Sequence, residues 1–250
     1  MIVLKTSREL KIMREACRIS ANALKLAGKA VEPGVSTWEI DRLVRRYIEE
    51  QGATPSFLGY GGFPASACIS VNDVVIHGIP HKGTILKQGD IVSVDVGAVF
   101  EGFNGDNAYT FPCGDVSSEA QALMDTTRES LYEGIKAAKA GGRIGDIGSA
   151  VQRYAEARGY SVVRDYVGHG VGAKMHEDPS VPNYGTPGRG VRLLPGMTIA
   201  IEPMINQGVK EVKTLQDGWT TVTADRKLSA HFEHSVAITQ DGPVILTVSD

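Results

Sequence analysis

The chain has 250 residues, 42% hydrophobic and 22% charged, a composition typical of a globular protein with a large core. Its net charge of −3 argues against a nucleic-acid or membrane-surface function. No apolar run approaches the roughly 20 residues that span a bilayer, and the start of the chain lacks the apolar stretch of a signal peptide. The three cysteines form no CxxC motif, so we expect reduced thiols in a cytoplasmic protein.

Apolar periodicity and β-branched residues divide the chain into helices and strands. The predicted helices cover residues 7–29, 36–51, 118–140 and 144–158. Ser7 is a candidate N-cap of the first helix, and Ser36 or Thr37 can cap the second. The predicted strands cover residues 71–76, 91–99, 107–111, 162–167, 198–202 and 233–239. Antiparallel hairpins flanked by helices predict an α+β fold in which helices cover one face of a sheet.

The sequence contains an internal repeat with an offset of 107 residues. Residues 32–52 resemble residues 139–159, and the same offset aligns 86–95 with 193–202. The alternative is a chance resemblance between amphipathic helices, but a single offset serves two separated segments. We therefore predict one domain, 1–250, built of two pseudo-symmetric halves of about 1–112 and 113–250. Asp95 and Glu202 occupy equivalent positions, and an approximate two-fold axis would bring them face to face.

Carboxylates and one imidazole stand in strand or turn settings over the last two thirds of the chain. They are Asp95, Asp106, His169, Glu202 and Glu233. A turn centred between residues 100 and 101 would set Asp95 opposite Asp106, and cross-strand carboxylates repel unless a cation or a shared proton lies between them. Each carboxylate buried without a partner would cost several kcal/mol. If all five converge, they form a ligand set for two divalent metal ions, typical of a hydrolase.

Other readings of the motifs are weaker or stay open. The glycines around His169, in GHGVG, fit neither a phosphate-binding loop nor a dinucleotide fingerprint. His77 and His176 are each compatible with a structural as well as a catalytic role. The sequence has no GxSxG motif, which argues against a nucleophile-elbow serine hydrolase.

Several short stretches together resemble the methionine aminopeptidases over essentially the whole chain. They are residues 76–80, 90–97, 104–106, 168–172, 201–203 and 232–234. The short gap between His176 and Glu202 and the lack of an N-terminal zinc-finger extension are similar to the bacterial type I enzymes. The resemblance implies the pita-bread fold, a curved antiparallel sheet with helices on its outer face and internal pseudo-two-fold symmetry. It also implies removal of the initiator methionine from nascent chains when the second residue is small.

The resemblance also implies a role for each site residue. Asp106 and Glu233 would bridge two metal ions, with Asp95 on one ion and His169 and Glu202 on the other. Glu202 would act as the base, and His77 and His176 would contact the scissile amide and its carbonyl oxygen. The methionine pocket would be lined by Phe57, Tyr60, Phe63, Cys68, Met175 and Trp219. Among these, Phe57 and Met175 stand where the family usually has a cysteine and an aromatic residue.

The expected cofactors are two divalent cations, Co, Fe, Mn or Zn, because the ligand set is rich in oxygen with one imidazole. The family resemblance adds a monovalent cation held by the carbonyls of Asn72, Val74 and Ser229. We expect a monomer that binds nascent polypeptide N-termini, makes transient ribosome contact, and binds neither nucleic acid nor membrane. Two rivals remain: a prolidase-like peptidase with the same ligands, and a binding module on this fold, although such modules lose ligands that are all present here.

Overall fold

The computed structural model describes residues 1–250 and confirms the α+β class. The helices are α1 (Ser7–Lys29), α2 (Thr37–Glu50), α3 (Ser118–Ala137) and α4 (Ile144–Glu156). The strands are β1 (Thr54–Pro55), β2 (Ala67–Val71), β3 (Val74–Ile76), β4 (Ile91–Phe100), β5 (Phe103–Pro112), β6 (Ser161–Val162), β7 (Gly168–Gly170), β8 (Glu177–Val181), β9 (Thr198–Ile201), β10 (Met204–Asn206), β11 (Val212–Thr214), β12 (Thr221–Thr223), β13 (Ser229–His231), β14 (Glu233–Thr239) and β15 (Gly242–Ile245). None of the helices is long and apolar enough to cross a membrane.

Side-chain caps fix where the first two helices begin. Thr6, not the predicted Ser7, is the N-cap of α1: its hydroxyl accepts a hydrogen bond from the Glu9 amide at 3.3 Å, and the Glu9 carboxylate accepts from the Thr6 amide at 2.7 Å. The same reciprocal pair joins Ser36 and Glu39 at the start of α2, as predicted. Such capping boxes satisfy amides that the first helical turn leaves unpaired.

A nine-stranded antiparallel sheet forms the body of the molecule, with the order β1-β4-β5-β14-β9-β7-β8; β2 pairs with β4, and β15 with β14. Two smaller sheets, β13-β10-β6 and β11-β12-β3, lie beside it. Helix α1 packs on β4 and β5 and against α2, while α3 packs on α4 and on strands of the second half. The close approach of α1 requires Gly105, since a Cβ there would lie 2.5 Å from the Cys17 Cα.

Two hydrophobic cores lie beneath the two helical pairs. One is built from buried residues between Ile19 and Cys113 and the other, apart from Ile91, from residues between Ala120 and Ile238. We interpret this division as the two halves, with a boundary near residues 112 and 113, of a single domain.

Backbone contacts repeat between the halves at the predicted offset. The isolated bridge Ser36–Ile85 has its counterpart in Arg143–Arg192, and both positions differ by 107. Gly34 donates to the Leu86 carbonyl at 2.8 Å, and Gly141 donates to the Leu193 carbonyl at 2.9 Å. The internal symmetry inferred from the repeat therefore extends to individual hydrogen bonds.

The predicted register of the β4–β5 hairpin is wrong by two residues. Phe100 pairs with Phe103, so Asp95 lies opposite Ala108, and Asp106 opposite Gly97. The reason is a two-residue turn in which Glu101 and Gly102 both have positive φ, at 47° and 81°, as a tight primed hairpin turn requires. Asp95 and Asp106 remain on the same face of the sheet, as diagonal rather than direct neighbours.

Two other predicted strands are shorter than expected. The segment 71–76 is not one strand, because Asn72 adopts φ 56° and turns the chain between β2 and β3. Asparagine tolerates this left-handed conformation better than most residues. The segment predicted over 162–167 contributes only Ser161–Val162 to a sheet.

Candidate active site

The sheet order brings the candidate ligands together. Five adjacent strands, β4, β5, β14, β9 and β7, carry or immediately precede one ligand each: Asp95, Asp106, Glu233, Glu202 and His169. Ala108 of β5 pairs with Asp95 on one side and with Glu233 on the other. The methyl side chain of Ala108 therefore separates two carboxylates that come from different halves of the sequence.

Distances within this cluster are those of a compact polar centre. His169 Nε2 lies 3.5 Å from Asp106 Oδ2 and 3.5 Å from Glu202 Oε1. Ligand atoms of Asp106, His169 and Glu233 all lie within 4.8 Å of one another. The other ring nitrogen of His169, Nδ1, lies 2.8 Å from the Gly170 carbonyl. This contact orients the ring so that Nε2 faces the carboxylates, as is usual for a metal-binding histidine.

Burial of so many charges changes their protonation. Burial, reinforced by the charge of Asp106, raises the pKa of both Asp95 and Glu233 well above the usual range. Burial likewise raises the pKa of Glu202 to about 8. Burial alone would lower the pKa of His169, but Asp106 and Glu202 outweigh it and raise that pKa to about 9. Excess negative charge thus holds protons in the cluster unless a cation replaces them.

Three carboxylate oxygens of the cluster have no hydrogen-bond partner although they are buried. They are Asp95 Oδ1, Asp106 Oδ1 and Glu233 Oε1. Buried polar atoms are nearly always satisfied, so unpaired ones call for an explanation. Oxygen-rich sites with one imidazole fit divalent ions such as Mn²⁺, Fe²⁺, Co²⁺ or Zn²⁺, and the residues present therefore fit a metal centre.

A cavity of about 180 Å³ opens beside the carboxylates. Every residue that the sequence predicted for the site lines this cavity, and so do Ile76, Tyr166 and Val167, which sequence reasoning missed. Tyr166 and Val167 directly precede the GHGVG motif, and this adjacency is the signal that could have found them.

One wall of the cavity is apolar. Phe57, Phe63, Cys68 and Met175 form a buried cluster against which Trp219 packs, with the rings of Phe63 and Trp219 5.1 Å apart and edge to face. Tyr60 is exposed at the rim. The unusual Phe57 is accommodated by a glycine, since a Cβ at position 97 would lie 2.9 Å from its ring.

The two further histidines stand at the polar end of the cavity. His77 has φ 56°, and its ring lies 5.6 Å from the ring of Tyr166, edge to face. His176 has its Nδ1 2.7 Å from the Tyr60 hydroxyl, and its ring lies 4.3 Å from that of His169. Burial lowers the pKa of His77, and desolvation together with His169 lowers that of His176 to about 4. Both imidazoles are therefore neutral at pH 7.

One residue near the centre had no distinct signal in the sequence. His231 Nε2 is buried, has no hydrogen-bond partner and lies 3.8 Å from Glu202 Oε2. Burial lowers the pKa of His231 to about 3, so it faces Glu202 as a neutral ring. The sequence showed it only as a neighbour of Glu233.

The segments predicted to hold a monovalent cation also meet. The Ser229 amide donates to the Asn72 carbonyl at 2.9 Å, and Val74 begins β3 two residues after Asn72. The cation itself stays a prediction.

Comparisons with known proteins agree with this arrangement. Residues 11–240 match the model of metallopeptidase family M24. Methionine aminopeptidase 1 of Bacillus subtilis (strain 168) is 53% identical over 247 residues, covering 99% of each chain. The crystal structure of methionine aminopeptidase from Thermotoga maritima superposes with a TM-score of 0.97 at 47% identity, again over 99% of each chain.

A prolidase shares the fold at a greater distance. The structure from Pyrococcus horikoshii OT3 has a TM-score of 0.81 at 24% identity, and the match covers this whole chain but 65% of that one. The similarity to the prolidase shows the shared pita-bread fold alone, whereas the matches near 50% identity run the full length of both chains. The chain belongs to metallopeptidase family M24 and, within it, to the methionine aminopeptidases.

Proposed function

We propose that this enzyme hydrolyses the first peptide bond of nascent proteins and releases the initiator methionine when the second residue is small. The observation that carries the proposal is the meeting of unpaired, buried carboxylates with an apolar cavity in one site. Release of methionine from a Met-Ala-Ser peptide by the metal-loaded protein, and none by protein treated with chelator, is the direct test.

The ligands divide between two divalent ions in this proposal. Asp106 and Glu233 would hold both ions, Asp95 would complete one site, and His169 with Glu202 would complete the other. Metal ions bound there would lower the pKa of a water molecule towards neutrality and supply a nucleophile for the peptide carbonyl. The deep burial of the carboxylates keeps competing water away and strengthens their hold on cations.

Glu202 is the proposed general base and proton carrier. Its Oε1 lies 3.5 Å from His169 Nε2, inside the ligand cluster, so its carboxylate stands where it can accept a proton from the attacking water. The Asn183 side-chain amide donates to the Glu202 backbone carbonyl at 2.9 Å and holds the residue in place. Glu202 then passes the proton to the leaving amine.

His176 is the proposed hydrogen-bond donor to the carbonyl oxygen as negative charge develops on it. The ring is neutral, and when the Tyr60 hydroxyl donates to Nδ1 at 2.7 Å, the ring proton resides on Nε2. A donor fixed in advance stabilises the developing oxyanion without reorganisation. His77, held in a left-handed backbone conformation, contacts the scissile amide from the other side.

The apolar wall would receive the methionine side chain. An unbranched thioether fits an irregular pocket of aromatic rings and sulfur, here Phe57, Phe63, Cys68, Met175 and Trp219. Compared with cysteine, Phe57 adds bulk to this pocket, and Met175 adds flexibility compared with an aromatic residue.

Substrate selection should depend on the second residue. We expect cleavage of Met-X-Met peptides with X = Gly, Ala, Ser, Thr, Cys, Pro or Val, and a large drop in kcat/KM for long side chains, because His77 and His176 crowd the position that follows the scissile bond. At the first position, leucyl peptides should have a lower kcat/KM than methionyl peptides. The difference should correspond to roughly 1–3 kcal/mol in activation free energy, since shape alone discriminates by about this much per methylene.

A peptide panel with X varied, followed by release of free methionine, measures this selectivity. X-Pro dipeptides serve as the comparison, because a prolidase-like enzyme would prefer them. Equal rates for Met-Ala-Met and Met-Lys-Met would contradict the crowding argument.

The stabilisation of the folded protein by bound metal ions should increase with pH. In metal-stripped protein, the pKa of Glu202 is raised from 4.5 to about 8, so its contribution to stability is full below pH 4.5 and is lost as the pH rises towards 8. Divalent ions bind the deprotonated ligands and compete with protons at low pH. The increase in Tm that Mn²⁺ produces should therefore be larger at about pH 8 than at about pH 6.

Scanning calorimetry with Mn²⁺ or with chelator at both pH values tests this. Asp106→Asn is the control, since loss of a ligand should remove most of the metal-induced increase. An increase of equal size at the two pH values would show that the raised carboxylate pKa values play no part in metal binding.

The cellular setting of the reaction is also a proposal. We propose that the enzyme is a monomer that acts in the cytoplasm. Because nascent N-termini emerge at the ribosome, we also propose transient ribosome contact. Co-sedimentation with translating ribosomes at about 0.1 M salt, compared with vacant ribosomes, tests that contact.

A further inference from the structure

A short irregular segment carries two residues of the cavity. Residues 172–176 lie in the connection between β7 and β8, have neither helix nor strand structure, and include Met175 and His176. The Gly172 carbonyl accepts hydrogen bonds from the backbone and side-chain amides of Asn104, at 2.8 Å and 3.0 Å. With so few backbone bonds of its own, the segment depends on side chains for its position.

The carboxylate of Glu177 supplies that support at the other end. Its Oε1 accepts from the Lys174 amide at 3.1 Å, and its Oε2 lies 2.5 Å from Lys5 Nζ. The side chains of Lys5 and Glu177 are only 3% and 8% exposed. Lys5 is itself anchored, because its amide donates to the Gly196 carbonyl at 2.7 Å.

The pair also fills the space inside the turn. A Cβ on Gly172 would lie 2.5 Å from Lys5 Cε and 2.6 Å from Glu177 Oε1. The ion pair therefore packs directly beneath the backbone of the segment, and only a glycine leaves room for it. Lys5, Gly172 and Glu177 form one packed unit next to His176.

We propose that Lys5 and Glu177 are positioning residues for catalysis: their buried ion pair fixes residues 172–176 and so sets His176 against the scissile carbonyl. The inference rests on the proposed function, in which His176 stabilises the developing oxyanion. Neither Lys5 nor Glu177 lines the apolar wall that receives methionine, so their effect should fall on kcat rather than on KM. Misplacement of a catalytic group by about 1 Å can cost roughly 100-fold in rate.

A purely structural ion pair makes a different prediction. Breaking a buried pair leaves an uncompensated charge and destabilises the protein, whereas removing both charges together is often neutral. A structural pair would therefore lose activity only as the folded fraction falls, and activity would return with stability. A positioning pair would not recover, because the Lys174 amide still lacks its acceptor.

Four variants separate these cases at saturating Mn²⁺: Glu177→Gln, Lys5→Met, the double variant Lys5→Met/Glu177→Met, and His176→Ala. Asp178→Asn, which removes an exposed carboxylate one residue along the chain, is the matched control and should leave kcat unchanged. Thermal unfolding, kcat and KM on Met-Ala-Ser, and amide exchange of residues 172–176 are measured for each.

We expect the single variant Lys5→Met to lose thermal stability and to lower kcat by roughly 10- to 100-fold with KM changed less than about threefold. The double variant should regain thermal stability but keep the low kcat and fast exchange at Lys174. If Lys5→Met does not fold, the double variant, which removes the acceptor of the Lys174 amide, still decides. Recovery of kcat together with stability, or unchanged kcat in the folded double variant, would overturn the proposal.

A mutant cycle identifies the residue through which the pair acts. In the His176→Ala background, Lys5→Met/Glu177→Met should reduce kcat no further, because the group that the pair positions is already absent. An equal relative decrease in kcat in both backgrounds would overturn a role through His176. If His176→Ala alone retains full activity, the assigned role of His176 fails and the proposed function needs revision, which is a separate outcome.

Discussion

Asp106→Asn should nearly abolish activity while the fold survives. Asp106 belongs, with His169 and Glu233, to the candidate metal-binding triad. One ligand atom of each of the three residues lies within 4.8 Å of the others. The amide of asparagine has the same shape as the carboxylate but lacks the charge that holds cations. Asp106 Oδ1 has no hydrogen-bond partner, so the substitution removes no hydrogen bond at that atom. Loss of the bound nucleophile should lower kcat/KM by at least about 10³-fold, equivalent to roughly 4 kcal/mol.

Metal titration calorimetry and peptide hydrolysis measure the two parts of this expectation, and circular dichroism verifies the fold. Asp125→Asn is the control, since Asp125 pairs with Arg128 on the surface of α3 and is 40% exposed. Normal turnover with full metal occupancy in Asp106→Asn would show that Asp106 is not a ligand.

The internal repeat made it possible to predict from the sequence that the domain has two related halves. The offset of 107 predicted equivalent positions for Asp95 and Glu202, and the structure carries the same offset into the bridges at Ser36 and Arg143. Helix starts were predictable within one residue because Thr6 and Ser36 cap by local hydrogen bonds. Local chemistry and internal symmetry therefore account for the helices and the two halves, and the family resemblance accounts for the curved antiparallel sheet.

The errors arose where one residue's backbone conformation decides the outcome. The hairpin register depends on positive φ at Glu101. A glutamate does not predict a primed turn, whereas an Asn-Gly pair does. The strand predicted over 71–76 was divided by the left-handed Asn72. In that segment the β-branched neighbours gave a strand signal that the turn interrupted.

The site was predictable as a set of residues but not as a set of contacts. Residue types and motif resemblance pointed to the candidate ligands, yet they could not show that His231 lies 3.8 Å from Glu202. Lys5 and Glu177 are separated by 172 positions, and neither stands in a motif. Such pairs become visible only when the folded chain brings distant segments together.

Glu202→Gln should lower kcat by about 10² to 10⁴ and change KM far less, as loss of a general base does. The Glu202 carboxylate can accept the proton of the attacking water, and the amide of glutamine cannot. The backbone carbonyl of residue 202 keeps its bond from Asn183 in the variant, so the local fold should persist.

Glu202 is both a proposed ligand and the proposed base, so the two roles need separate readouts. Calorimetric titration reports the weaker metal binding that follows from a lost ligand, and kcat at saturating Mn²⁺ then isolates the loss of the base. Glu211→Gln, on an exposed residue of the same half, should leave both unchanged. If Glu202→Gln reached the wild-type kcat once metal was saturating, Glu202 would be a ligand only and another group would have to carry the proton.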